Sequence, residues 1–538
     1  MIFKKQDHRD KPWYKWIVLS NTTLGMLMAG IDTSIVVISL PFILKSILLH
    51  IPGGSAAAST LAYQTATATS FAYLIWVLMG YMLIIATLLL FFGRLADMFG
   101  RVKIYKLGFA VFTVGSFFAG LSSIIIPNGW ITEGLQLIIF RLLQGIGAAM
   151  MWSNTAAILT EVFPQKERGM ALGTNMVAMV GGSVLGLVLG GIITSFYSWR
   201  WIFMINVPVG IIATVWAYMM LHEVSQIKPD QRLDISGTIL LVLTISTLLL
   251  AATFYTLGSM GAHASGAFKA SFYPYLGYSY IAGIGFILLL AALLINEIRF
   301  AKQPIIKFEL FKHRLYSAGV LSSAFNAVGR GGVMFLLVFF LEGVKGFSAL
   351  NAGLMLIPLS LGFLVVGPIS GILSDRHGYR VLTTLGLILS LASLLILIFL
   401  PETASYYLLL TVMLLAGIGG GLFASPNVSS IMSSVEPHQR GVGSAINSTL
   451  MNVAMMLSMT IAFVFIGSTV NISSFVTLFV GTTSNLPSSV VNSAAYQSKW
   501  LTFMSAFHSI FIIFAALVFI AVIISFTRPS GKGSQALY

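Results

Sequence analysis

Residues 93–100 read Gly93-Arg94-Leu95-Ala96-Asp97-Met98-Phe99-Gly100, and residues 371–378 read Gly371-Ile372-Leu373-Ser374-Asp375-Arg376-His377-Gly378. Both stretches follow the pattern Gly-x-Leu-small-Asp-x-x-Gly. Each ends a long apolar run and leads through a basic residue (Arg101, Arg380) into another. The copies lie 278 residues apart, more than half the chain. A phrase repeated at that distance indicates one structural unit used twice.

The runs around the phrase are membrane-like. Of 538 residues, 57% are hydrophobic and 9% charged, and the mean hydropathy is +0.93. A soluble domain carries about 25% charged residues, so this chain has too few to wet its own surface. Apolar stretches of about 20 residues, enough to cross a hydrocarbon core of about 30 Å, recur throughout. They predict helices near 16–40, 71–92, 104–126, 134–160, 169–196, 201–221, 235–257, 277–296, 315–341, 350–373, 381–400, 405–434, 441–467 and 500–526. Continuous rather than alternating apolar runs exclude a transmembrane β-barrel. The expectation is an all-α polytopic protein of fourteen spans.

The net charge of +14 suggests nucleic acid, but its distribution points to orientation instead. With the N-terminus inside, 23 Lys and Arg residues fall on the cytoplasmic side and five (Lys45, Arg200, Lys269, Lys345, Lys499) outside. That is the positive-inside asymmetry, and an even span count puts both termini in the cytoplasm. The first apolar run is too long and too late for the core of a cleavable signal peptide. The expected location is the cytoplasmic membrane, as a multi-pass protein with no nucleic-acid partner. The absence of cysteine removes disulfides and thiolate metal sites, and eight scattered histidines show no ligand spacing.

Between the phrase copies lie two helices, near 235–257 and 277–296, that have no counterpart in the repeat. The chain therefore parses as six helices (1–221), a linker with two additional helices (222–298) and six helices (299–538). Within the phrase, glycines at both ends allow close helix approach and a sharp turn. Asp97 and Asp375 can accept from free N–H groups at a helix N-terminus or pair with a base such as Arg101. Gly93, Asp97, Gly100, Arg101, Gly371, Asp375 and Gly378 are thus candidates for a contact that holds one conformation and releases it in another.

Asp32 lies inside the first span, where an unpaired carboxylate costs a few kcal/mol. The other charges inside spans are Arg141 in the fourth and Arg330 in the ninth. At 1.5 Å per residue, Asp32 stands about 24 Å above the inner end of its helix and Arg141 about 12 Å below the outer end of its own. Those depths permit a pair, either a structural salt bridge or a titratable proton site tuned by burial and by Arg141. The first and ninth helices start near 16 and 315, an offset of about 299 residues that places Arg330 near Asp32 under the repeat. Arg330 either meets Asp32 across a central cavity or snorkels toward the outer surface.

In the fifth span Gly182, Gly186 and Gly190 recur on one face, with Gly191 beside them, a stripe that permits close packing or sliding. Gly417, Gly419, Gly420 and Gly421 with Pro426-Asn427 suit a twelfth helix that can bend. No phosphate-loop spacing is present. With no ATPase signature and no metal site, the energy source expected is an ion gradient and no cofactor.

At this point the chain resembles the major facilitator superfamily, in its fourteen-span drug/proton antiporter branch, the EmrB/QacA-like group. Asp32-Thr33-Ser34-Ile35-Val36 through Leu40-Pro41 is similar to the branch's first-helix motif, and Gly93 to Lys103 to the superfamily's loop motif, with Met98 at a usually basic place. Arg141-Leu142-Leu143-Gln144-Gly145 resembles the fourth-helix motif whose Arg is implicated in proton coupling. The glycines of the fifth span resemble the antiporter motif, with Leu187 where Pro commonly follows. Trp199-Arg200-Trp201-Ile202-Phe203 through Asn206-Val207-Pro208 and Leu350-Asn351-Ala352-Gly353 through Pro358 are further matches. The resemblance implies the major facilitator fold: two pseudo-symmetric six-helix bundles rocking about a central cavity, with the two inserted helices peripheral.

By resemblance and helix position, Met28, Gln144, Trp152, Asn154, Phe325, Asn326, Arg330 and Asn427 are the candidate substrate residues. The implied activity is export of lipophilic small molecules in exchange for protons, with Asp32 and Arg141 as the proton-coupling pair and a monomer embedded in the lipid bilayer. One membrane acid beside two arginines makes a neutral or anionic amphiphile at least as fitting a substrate as a cation. Transport of one specific metabolite on the same fold is the alternative. A lipid-modifying membrane enzyme is remote, because Asp230 and Asp234 lack metal-binding spacing.

Overall fold

The computed structural model describes residues 11–49, 61–122, 130–164, 167–223, 233–262, 266–301, 303–305, 307–436, 439–469 and 494–529. Among these, fourteen helices are long and apolar enough to cross a membrane, one for each predicted run. They are α1 (Tyr14–Leu49), α2 (Leu61–Phe99), α3 (Arg101–Gly120), α4 (Trp130–Val162), α5 (Arg168–Phe196), α6 (Trp201–Met204 continued by Asn206–Met220) and α7 (Ile235–Ala262). Then follow α8 (Tyr275–Ile295), α9 (Arg314–Phe339), α10 (Ala349–His377), α11 (Tyr379–Ile398), α12 (Tyr406–Ser433), α13 (Arg440–Thr469) and α14 (Ala494–Phe526). The start of α1 and the end of α14 define one face of the molecule, here the terminal face. The opposite one is the far face.

The packing repeats. In the first half α1 lies along α5, α2 and α3 pack on α4, and α6 packs on α3. In the second, α9 lies along α13, α10 and α11 pack on α12, and α14 packs on α11. Each contact in one bundle thus has its counterpart in the other. The bundles meet along two seams, α5 with α10 and α2 with α13, which are also exchanged by the repeat. The inserted helix α7 bridges the second seam, touching both α2 and α13, and α8 packs on α7. Only 11% of the most apolar window of α8 is buried in protein, so its side chains face lipid.

The duplicated phrase builds the same turn twice. Gly100 and Gly378 are single-residue links between successive helices, with φ of +106° and +82°, a region that side chains with a Cβ avoid. Each link donates its N–H back four residues, to Ala96 O at 2.8 Å and to Ser374 O at 2.9 Å. The side chain of Asp375 lies outside the described residues, as does Asp230.

Several boundaries differ from the sequence reading, α2 most of all (Leu61–Phe99 against the expected 71–92), and two of the differences have a visible cause. Helix α1 runs on to Leu49 instead of stopping near Pro41. A proline forfeits the backbone bond to the carbonyl four residues earlier, here Val37. Burial of Ile43, Leu44 and Ile47, each at most 1% exposed, carries the helix onward. Helix α9 likewise continues as a π-helical turn, Phe340–Val344. That turn buries Glu342, which is 2% exposed, so Asp32 is not the only acid inside a span. The apolar run ends at Leu341, and an added wide turn is invisible to hydropathy.

Candidate functional site

Asp32 is fully buried, and its carboxylate is held from three directions. Arg141 Nη1 donates to Asp32 Oδ2 at 2.7 Å. Gln144 Nε2 donates to Oδ1 at 2.7 Å, and Asn206 Nδ2 donates to the same oxygen at 3.2 Å. Arg141, itself 1% exposed, also donates through Nη1 to Gln144 Oε1 at 2.6 Å and through Nε to Val77 O at 3.3 Å. Its guanidinium lies 4.1 Å from the ring centre of Tyr81 and 5.7 Å from that of Phe203. Gln144 Nε2 reaches Ser116 Oγ at 2.7 Å as well. Side chains or backbone from α1, α2, α3, α4 and α6 therefore converge on one ion pair.

Helix geometry explains the convergence. Arg141 and Gln144 are spaced i, i+3, which puts both on one face of α4. Asn206 reaches the site because α6 breaks at Ile205. Pro208 has no N–H to offer the carbonyl of Met204, so the helix restarts at Asn206. A buried ion pair is tolerated only when its remaining donors and acceptors are satisfied. Protonation of Asp32 would cancel its charge and weaken the grip of Arg141, which would keep Gln144 Oε1, Val77 O and the Tyr81 ring.

The opposite face of α1 is fixed by the glycine stripe. A Cβ added to Gly186 would lie 2.1 Å from Ser34 Oγ, one on Gly182 2.4 Å from Leu27 O, and one on Gly190 2.3 Å from Ile38 Cγ2. The backbones of α1 and α5 are thus in direct contact. Gly191 does not belong to this stripe. Its neighbours are Ala349 and Leu350 of α10, and Gly353 of α10 in turn faces Leu187 O. The two bundles therefore touch along α5 and α10 near the far face. Gly173, roughly five turns toward the terminal face on the same side of α5, has nothing within 4 Å of an added Cβ. The α5–α10 contact at Gly191 and Gly353 thus lies near the far face, while open space adjoins Gly173 near the terminal face.

At the terminal face Asp97 pairs with Arg101 at 2.8 Å, and Arg101 Nη1 reaches Glu161 Oε1 at 2.6 Å. Asp97 does not accept from a helix N-terminus. The free N–H groups of α3 are taken by Glu223, which accepts from Arg101 N at 3.1 Å, Val102 N at 3.1 Å and Lys103 N at 3.3 Å. Arg94 donates to Gln303 O and Pro304 O, tying the phrase to the segment that follows the insert.

Arg330 does not meet Asp32. Its guanidinium lies 5.1 Å from the ring centre of Phe363 on α10 and against Gly420 of α12. The packing register shows why the offset misled: Gly331 sits on Met455 and Ser458 of α13 as Gly30 sits on Met179 and Ser183 of α5. Arg330 thus corresponds to Ala29, about one turn below Asp32. Among the other candidates, Met28, Asn154, Asn326 and Asn427 are buried at 4% exposure or less. Asn427 donates to Gly319 O at 3.3 Å and Asn154 to Met150 O at 2.8 Å. Trp152 and Phe325 are partly exposed, and Gln144 belongs to the Asp32 network. Asn206, Ser116 and Glu223 were not singled out from sequence. An asparagine amid the apolar residues of α6, two places before a proline, is the one signal that pointed to Asn206. A cavity of about 550 Å³ near the far face, lined by Glu402, His508 and Met504 among others, shares no residue with the Asp32 network.

The sequence matches the Major Facilitator Superfamily profile over residues 22–459 and again over 320–536. It is 30% identical over 443 residues to the riboflavin transporter RibZ of Clostridioides difficile (strain 630), covering 82% of this chain and 86% of that protein. It is also 30% identical over 452 residues to multidrug resistance protein 3 of Bacillus subtilis (strain 168), covering 83% and 78%. The fold superposes on an inward-facing, unoccupied bacterial homologue of the human lysosomal transporter Spinster. That match has a TM-score of 0.62 at 16% identity and covers 96% of this chain and 97% of the other.

Proposed function

From the premise that the chain belongs to the major facilitator superfamily and is a multi-pass membrane transporter, we propose that it exports lipophilic small molecules in exchange for protons by alternating access. The observation that carries this reading is the Asp32 network, an acid 0% exposed and held by Arg141, Gln144 and Asn206. A static salt bridge could be replaced by apolar packing at little cost. An acid retained at such a site is suited to exchanging a proton. Asp32 takes a proton when the central site faces outward. It gives the proton up when that site faces inward, and substrate competes for the same conformational states.

The basic residues clustered on the terminal face support a cytoplasmic-membrane protein with both termini in the cytoplasm. In that orientation the open space beside Gly173 lies toward the cytoplasm, the side from which an exporter loads. The reading needs no cofactor beyond the proton gradient and no second subunit. Relatives named for multidrug resistance favour broad lipophilic substrates. The relative named as a riboflavin transporter favours a second reading, one specific metabolite on the same fold.

The test is reconstitution into liposomes with an imposed pH gradient, following dye flux for wild type and Asp32→Asn. The proposal expects gradient-driven flux in wild type and its loss in the variant. Undiminished proton-driven flux in Asp32→Asn would remove the role given to Asp32. Transport of a single compound among many would favour the second reading.

A further inference from the structure

The two arginines inside the spans have opposite surroundings. Arg141 has a carboxylate, an amide oxygen and a backbone carbonyl. Arg330 has the face of Phe363 and the backbone of Gly420, where an added Cβ would lie 2.8 Å from Nη1. Among the described residues Arg330 makes neither a hydrogen bond nor an ion pair, yet it is only partly buried. Its five N–H donors are therefore unspent and reachable.

No acid within the neighbouring helices can answer that charge. Helix α12 contains no Asp or Glu, and α10 has none before Asp375, which lies about 18 Å along the helix from Phe363 at the standard rise. On α9 itself Glu342 is three turns away, about 18 Å by the same rise. Asp32, the remaining deep acid, is committed to Arg141. An unpaired guanidinium in hydrocarbon is costly, and here it lies on an aromatic face and on the backbone of a glycine whose missing side chain lets it pack there.

We propose that Arg330 is the anion-recognition residue of the transport site, selecting amphiphiles that carry a carboxylate, sulfonate or phosphate on an apolar body. The anionic group accepts from the exposed part of the guanidinium, and the apolar body lies against Phe363. The assignment rests on the transporter reading above and names its substrate class. It also explains the imbalance of deep charges, since an anionic substrate supplies the missing partner whenever the site is loaded. A permanent cation would meet an uncompensated positive charge there.

The test uses the full chain in lipid nanodiscs and three probes sharing one ring system: 1-pyrenebutanesulfonate, 1-pyrenebutanol and (1-pyrenebutyl)trimethylammonium. Wild type is expected to bind the sulfonate roughly 10- to 100-fold more tightly than the alcohol, the range for charge-assisted hydrogen bonds. Arg330→Gln should bring the two to parity, and Arg330→Lys should restore part of the preference. Gly420→Ala, whose Cβ would lie 2.8 Å from Nη1 and so displaces the guanidinium without removing charge, should weaken the sulfonate most and keeps the question open to test if Arg330→Gln does not fold. Asp32→Asn should keep the preference while losing proton-driven flux, so a failed export reading and a failed Arg330 assignment give different results. Equal binding of the three probes by wild type, preference for the ammonium, or an unchanged sulfonate-to-alcohol ratio in Arg330→Gln would overturn the proposal.

Discussion

Replacing Asp32 by Asn keeps the shape of the side chain and removes one charge. The amide oxygen can still accept from Gln144 and Asn206, which now meet Oδ1 at 2.7 and 3.2 Å. The amide nitrogen then takes the place of Oδ2 and points its hydrogens at Arg141 Nη1, which stands 2.7 Å from that oxygen. Donor faces donor, and Arg141 at 1% exposure is left without a counter-charge. Removing one partner of a buried pair costs about 3–5 kcal/mol, whereas removing both partners leaves no buried charge to compensate. Asp32→Asn should therefore lose about 3–5 kcal/mol, and Asp32→Asn with Arg141→Gln should return to within about 2 kcal/mol of wild type. Equilibrium unfolding in mixed detergent micelles measures both, as a double-mutant cycle. A single variant that loses less than about 1 kcal/mol, the scale of a surface pair, would refute the reasoning. So would a double variant that loses the sum of the two single losses.

Gly186→Val should lower thermal stability by about 1–3 kcal/mol or more through overpacking against Ser34 and Ile31. Gly173→Val, in open space on the same helix, should change it by no more than about 0.5 kcal/mol, and equal effects would contradict the α1–α5 contact. Gly100→Ala and Gly378→Ala should each cost at least about 1–2 kcal/mol from the positive φ they force on alanine, with the larger fall in unfolding midpoint at Gly100, where the added Cβ would also lie 2.4 Å from Glu223 Oε2. A large loss at one site and none at the other would deny that the two turns are equivalent. The chain contains no cysteine of its own, so Gly191→Cys with Leu350→Cys is a clean pair across the bundles. Cross-linking it should stop turnover, and reduction should restore it. Full turnover in the cross-linked protein would contradict alternating access at this seam.

Much of the scaffold was legible because membrane physics writes it plainly. Every predicted run carries a helix, and the spacing of the repeated phrase exposed the two inserted helices. The Asp32–Arg141 pair was legible for a related reason: charges are so rare inside the spans that matching depths pointed one to the other. The rest of the site depends on contacts between segments far apart in sequence. Asn206 joins Asp32 through a break in α6, and Glu223 caps α3 from more than 120 residues away. Neither follows from periodicity. Glu342 was missed because hydropathy ends a helix where apolar residues end, while the backbone added one more turn. Gly191 was grouped with its neighbours by spacing, yet a rotation of one residue aims it at the other bundle. Arg330 shows the limit of counting from helix starts, since an error of about two residues turned it roughly half-way round the helix, from the level of Ile31 to that of Ala29, and gave it the wrong partner.

The central claim is that substrate and proton exchange through Asp32. Proton release on substrate binding tests it most directly, measured with a pH indicator in weakly buffered detergent solution. Wild type should release protons in proportion to bound substrate, and Asp32→Asn should bind substrate with no release. Equal release from both proteins would place the exchanged proton elsewhere and contradict the account.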